Sequence, residues 1–202
     1  LPSWINGLDE KVLCFLSTLE KDDQLGRYHP CKKGFTMQGR EAMLGFSCFA
    51  LKICYMLGRW ENLGVKRQRG WISFIKSFQY TKENGSSNSI KENSFIDPIL
   101  INYLEVKNSH FSFRLEIKKL LRLNKPYGFL NFSEQAIIAE TKQALATLAQ
   151  VGEHSNEPYG WFPKTPQAVS VYMEKFDWGK PWGAGGQTAA LPVFFSLEAK
   201  RF

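Results

Sequence analysis

Asp177-Trp178-Gly179-Lys180-Pro181-Trp182-Gly183-Ala184-Gly185-Gly186-Gln187-Thr188-Ala189-Ala190-Leu191-Pro192-Val193-Phe194-Phe195 sets two tryptophans and four glycines ahead of an apolar run. The glycines read as a tight loop, because glycine accepts backbone angles that other residues resist. The run from Ala189 to Leu197 reads as a buried helix. Pro192 requires that helix to begin near Thr188, so that the missing N–H falls in the first turn, where donors are free anyway.

Weaker versions of this unit lie upstream. Ala50-Leu51 leads to Gly58, and Ala144-Leu145 leads to Gly152, each glycine eight residues after its alanine. Ala50, Ala144 and Ala190 are 94 and 46 residues apart, so the first interval is close to twice the second. A repeat of that length holds two helices and two loops.

The other segments fit helical hairpins. Leu8 to Leu19 carries Leu8, Val12, Phe15, Leu16 and Leu19 at helical spacing. Arg40 to Leu57 is apolar nearly all round, as in a helix buried on most sides, with Gly58 placed to end it. Gly70 to Gln79 has a one-sided stripe of Trp71, Phe74, Ile75 and Phe78. Asp97-Pro98 opens a helix with proline in its first position. Phe113 to Leu123 is amphipathic, and its basic face of Arg114, Lys118, Lys119, Arg122 and Lys125 reads as a solvated face or a phosphate or membrane contact. Asn131 and Glu134 have capping-box spacing before a helix ending at Gly152. Thr165-Pro166 caps another, with Val169, Tyr172, Met173 and Phe176 along one side. Residues 81–94, rich in Gly, Ser and Asn, read as a flexible loop. Period-two alternation is absent, so no strand is expected.

The expected fold is therefore all-α, with helical hairpins packed as an α/α toroid or partial toroid. Buried inner helices alternate with amphipathic outer ones. A straight solenoid is the alternative, since both need stacked neighbours to cover their faces. One domain over 1–202 is expected. Leu1 in place of an initiator Met, and an apolar final helix at Phe202, lead us to expect a partial chain.

Composition narrows the function. Hydrophobic residues make up 44% and charged residues 22% of the chain, as in a globular protein. No apolar run reaches the ~18 residues of a membrane span. Net charge is +7 without a basic motif, which reads as solubility rather than nucleic-acid binding. Cys14, Cys31, Cys48 and Cys54 form no C-x-x-C pair, so neither a metal site nor a disulfide framework is expected. A reducing, cytoplasmic compartment follows as the expectation. No phosphate-binding loop or dinucleotide glycine motif is present, and no cofactor is expected.

Arg69-Gly70-Trp71-Ile72-Ser73-Phe74-Ile75-Lys76-Ser77-Phe78-Gln79, followed by Gly85, resembles the QW repeat of the terpenoid cyclases. The closing tryptophan of that repeat is replaced by Ser86-Ser87. The resemblance implies the α/α toroid that those enzymes share with protein prenyltransferase β subunits, and a central cavity suited to an isoprenoid. It does not extend to their catalytic signatures. Asp22-Asp23 lacks the spacing of the cyclases' acid motif, and Cys54 has no zinc-site partners in sequence. Helical toroids also house polysaccharide lyases and glycosidases, so a saccharide is an equal substrate class, and a non-catalytic binding or scaffold module is the other reading.

The candidate catalytic residues are Glu140, Asp177 and Asp22. Glu140 lies on a buried-type helix beside Gln143, and reads as a general acid or as a hydrogen-bonded glutamate. Asp177 sits at the aromatic loop and reads as an acid or as a loop cap. Asp22, with Asp23 and His29, reads as an acid/base set or as a solvated loop. Trp178, Trp182 and Trp71 are candidate walls for an apolar or sugar ligand, or core plugs. Arg40 and Gln187 begin buried helices and are candidate ligand contacts. The loop glycines before Gln187 read as a turn or as an anion seat. Tyr28 and Tyr159 are possible bases or wall residues.

Overall fold

A computed structural model describes residues 6–21, 24–81, 90–101, 132–179 and 181–201. The described chain is all-α. Its helices are α1 (Leu8–Ser17), α2 (Met37–Glu41), α3 (Leu44–Met56), α4 (Val65–Lys76), α5 (Phe132–Gln150), α6 (Pro166–Met173), α7 (Pro181–Thr188) and α8 (Ala190–Leu197). A short 3-10 turn, Ala199–Arg201, follows α8. Extended pairing among the described residues is limited to two isolated bridges, Glu20 with Tyr28 and Gln79 with Phe95.

The three Ala-Leu helices are neighbours. α5 packs along α3 and also along α8, while α4 lies against both α3 and α5. α5 is covered most fully: Ile137, Thr141, Ala144, Leu145, Thr147 and Leu148 are all buried. α4 is amphipathic as expected, with Trp71, Phe74 and Ile75 buried, although it begins at Val65 rather than Gly70. α3 departs from its expectation. It buries Leu44, Cys48, Ala50, Leu51 and Cys54 but leaves Phe49, Tyr55 and Met56 exposed, because α4 and α5 cover only part of its circumference.

Glycine ends α3 and α5 in the same way. Gly58 has φ 64° and Gly152 has φ 76°, the left-handed region where a side chain would be strained. Gly58 N–H donates to Tyr55 O and Arg59 N–H to Cys54 O; Gly152 N–H donates to Ala149 O and Glu153 N–H to Leu148 O. Both are Schellman closures. Thr165 caps α6, its Oγ1 accepting from Ala168 N–H at 3.2 Å, with Pro166 following.

Two segments differ from the sequence expectation. Arg40 to Leu57 is not one helix: α2 stops at Glu41 and α3 restarts at Leu44. The cause lies 54 residues away. Asp97 Oδ2 accepts the Met43 N–H at 2.6 Å and the Leu44 N–H at 3.0 Å, and so fixes a new helix start there. Its Oδ1 also accepts from Ile99 N–H at 3.3 Å, at the head of the helical residues 98–101. One buried carboxylate thus caps two helices.

The second correction concerns the aromatic-glycine stretch. Pro181–Thr188 is helical, not a loop. Pro181 supplies a preset φ at the first position, and none of Gly183, Gly185 and Gly186 has a positive φ. Lys142 of α5 donates to Gly186 O at 3.2 Å and pins α7 to the wall. The helix is interrupted at Ala189, and α8 begins at Ala190 with Pro192 in its first turn, as that proline requires.

The capping box at Asn131, the basic segment Arg114 to Lys125, Asp22-Asp23 and most of the 81–94 loop lie outside the described residues. No described helix is long and apolar enough to cross a membrane. Cys14, Cys31, Cys48 and Cys54 are all free thiols.

Candidate functional site

An open groove of about 590 Å³ runs beside α5. Its floor is Ile137 and Ile138 of α5, one wall is Tyr159, Trp161 and Phe162, and the other is Val171 and Tyr172 of α6. Lys91, Lys175 and Glu134 supply charge at its edges. Pockets of this size suit small organic ligands.

The aromatic wall is held from behind. Glu198, 1% exposed at the end of α8, accepts from Tyr159 N–H at 2.8 Å through Oε2. Arg201 pairs with Glu198 at 3.3 Å and donates to Ser155 Oγ and Ser155 O. Tyr159 then donates its hydroxyl to Trp161 O at 3.1 Å, and its ring lies 4.9 Å from Phe194. Burial raises the Tyr159 pKa above its ordinary value, so the hydroxyl stays a donor. Gln79, also buried, ties the same loop down: its Nε2 donates to Asn93 O and Glu157 O, and its Oε1 accepts from Glu157 N–H. Through Asn93 this fixes the segment that carries Lys91, whose ammonium lies 4.8 Å over the Trp161 ring.

A second feature lies further along α5. Glu140 sits about 60° round the helix from the groove residue Ile137, one turn on, but it is not among the residues that line the groove. Glu140 faces the start of α3, where a side chain on Gly45 would come within 3.5 Å of its Oε1. Its Oε2 is buried without a hydrogen-bond partner, as is Nε2 of Gln143 one turn on. Gln143 Oε1 accepts from Lys52 Nζ at 3.2 Å. Burial lowers the Lys52 pKa, and burial pushes the neighbouring Cys48 thiol up to about 12. Desolvation first, then repulsion from Asp97, pushes Glu140 up to about 7. The positive end of α3 would favour an anion, but Asp97 already occupies its N–H groups.

The sign of the resulting pH dependence is fixed. Folded Glu140 holds its proton more tightly than an unfolded glutamate, so its cost is absent below about pH 4.5 and grows as pH rises to about 7. Glu140→Gln is expected to raise stability by roughly 2 kcal/mol at pH 8 and to change it little at pH 4.5. Urea unfolding of both proteins at the two pH values checks this; an equal effect at both would refute it.

The other candidates do not join Glu140. Asp177 Oδ1 accepts from Gly179 N–H at 3.0 Å within the turn after α6. Trp178 is half exposed and donates Nε1–H to Met173 O. Trp182 is 95% exposed on α7. Gln187 is held between α7 and α5, with Nε2 3.5 Å from Gln135 O and Oε1 buried and unpartnered. Arg40 is exposed on α2, 5.9 Å from the Phe35 ring. Trp71 is a core residue with no exposure, donating Nε1–H to Ser47 O. None of these side chains lines the groove. Trp161 and Phe162 were not singled out in the sequence, although Tyr159-Gly160-Trp161-Phe162-Pro163 is a dense aromatic run between two helices.

No protein-family model, no characterised protein and no solved structure matches this chain.

Proposed function

We propose that this chain is a ligand-binding module of a helical wall, taking a small organic molecule with an apolar body and an anionic group. The groove carries that reading: aromatic and aliphatic walls cover the body, and Lys91 and Lys175 stand at the edge to meet the anion. An isoprenoid phosphate has this chemistry. Glu134 is the carboxylate in the groove, and the raised-pKa acid Glu140 is not part of its lining, so the arrangement favours binding over acid catalysis. The sequence α3–α5–α8 with α4 against its back supports a partial α/α toroid as the frame. A saccharide is the second reading, favoured by the half-exposed Trp161 ring.

Calorimetric titration with farnesyl phosphate and with cellotetraose tests this. Farnesyl phosphate is expected to bind, and Lys175→Glu and Trp161→Ala are each expected to weaken it at least about tenfold. Binding of cellotetraose alone would transfer the groove to the saccharide reading. Binding of neither, or binding indifferent to both substitutions, would remove the groove as the site.

A further inference from the structure

A second cavity, about 360 Å³, lies away from the groove between α1 and the α3–α4 connection. Its apolar lining comes from Leu13 and Leu16 of α1, Cys54 of α3 and Leu63. Two arginines, Arg59 and Arg67, line the same space from different segments. Arginines beside an apolar cavity are costly unless their N–H groups are paired.

Each guanidinium has one carboxylate partner, and each is held through Nη2. Arg59 Nη2 meets Asp9 Oδ2 at 3.0 Å, and Arg67 Nη2 meets Glu20 Oε2. A guanidinium has five N–H donors in a planar fork. In both arginines the Nε–H is buried and has no partner. Both Nε–H groups are shut off from the cavity space, so the donors that a ligand there can meet are the remaining Nη N–H groups of side chains about 40% exposed.

We infer that this cavity is a binding site for a small monocarboxylic acid, its carboxylate received by Arg59 and Arg67 and its hydrocarbon body lying against Leu13, Leu16 and Leu63. Arginine forks match the planar carboxylate, whose two oxygens can serve two guanidinium edges at once. The carboxylates already present leave most N–H positions open and hold each fork in place. This site is independent of the aromatic groove, since the two share no lining residue.

Octanoate is the probe, with octanamide as its neutral counterpart, and leucine, isoleucine and valine methyl NMR is the readout. Saturable shifts at Leu13, Leu16 and Leu63 are expected with octanoate and not with octanamide. Arg59→Gln is expected to weaken octanoate at least about tenfold with the methyl spectrum otherwise unchanged. Leu63→Trp, which fills the cavity and keeps both arginines, is expected to abolish binding. Equal shifts from octanamide, shifts confined to Ile137, Ile138 and Val171, no shifts at all, or full affinity in either variant would overturn the assignment.

Discussion

Asp97→Ala is expected to lower the unfolding free energy by about 3 kcal/mol, or roughly 6–12 °C in Tm for a chain of this size. The carboxylate is 2% exposed and receives the N–H groups of Met43, Leu44 and Ile99. Alanine leaves all three donors without that acceptor, two of them at the start of α3. Charge-assisted caps are stronger than neutral ones, so Asp97→Asn should retain only part of the stability. The substitution has a second, opposite signature. Removing the Asp97 charge removes one of the two causes that raise the Glu140 pKa, so the Glu140 titration should move down while burial still holds it above the ordinary range. Thermal unfolding together with carboxyl-detected NMR titration reads both effects. A stable Asp97→Ala protein with an unmoved Glu140 would show that the bridge to α3 is absent in solution.

Trp71→Ala should be costlier, about 4 kcal/mol, as expected for deleting a fully buried indole. Tyr28 stacks on it at 5.0 Å, Trp60 meets its edge at 6.1 Å, and its N–H reaches Ser47 O across to α3. The loop after α1 is shaped to it. Gly26 has φ 79°, and a side-chain carbon there would fall 2.5 Å from Trp71 Cδ1. Trp71→Ala therefore empties a space on which α3, α4 and the turn from Gly26 to Tyr28 depend. Trp182→Ala is the matched control: an indole that is 95% exposed should change stability by no more than about 0.5 kcal/mol. Urea unfolding of the two variants would contradict this reading if their losses were similar.

That contrast shows how far the sequence could be read. Both tryptophans stood in it as ligand walls or core plugs, and only packing separates them. The helical period was legible where a helix buries one side, as α4 does with Trp71, Phe74 and Ile75. The glycines at 58 and 152 were legible because a left-handed closure leaves few alternatives. Thr165 was legible because a cap acts on its own helix. The start of α3 was hidden, because Asp97 acts across 54 residues and no local pattern records that. The helix at Pro181–Thr188 was hidden by its glycines, whose propensity argues for a loop while a lysine on α5 holds the helix in place. The groove was hidden for the same reason as the α3 cap: its walls come from the segment at Lys91, from α5, from the 159–163 loop and from α6. The fragment resembling a QW repeat lands on α4 and ends at Gln79, which spends both ends of its amide on the loop behind the groove.

Both features depend on the position of α5, which carries the half-buried Glu140 against the start of α3 and supplies the floor of the groove. A methyl NOESY spectrum decides that position: from Ala144, Leu145 and Leu148, cross-peaks are expected to methyls of α3 and, in the same spectrum, to methyls of α8. Cross-peaks to one of these helices and none to the other would dismantle the wall, and with it the groove and the setting of Glu140.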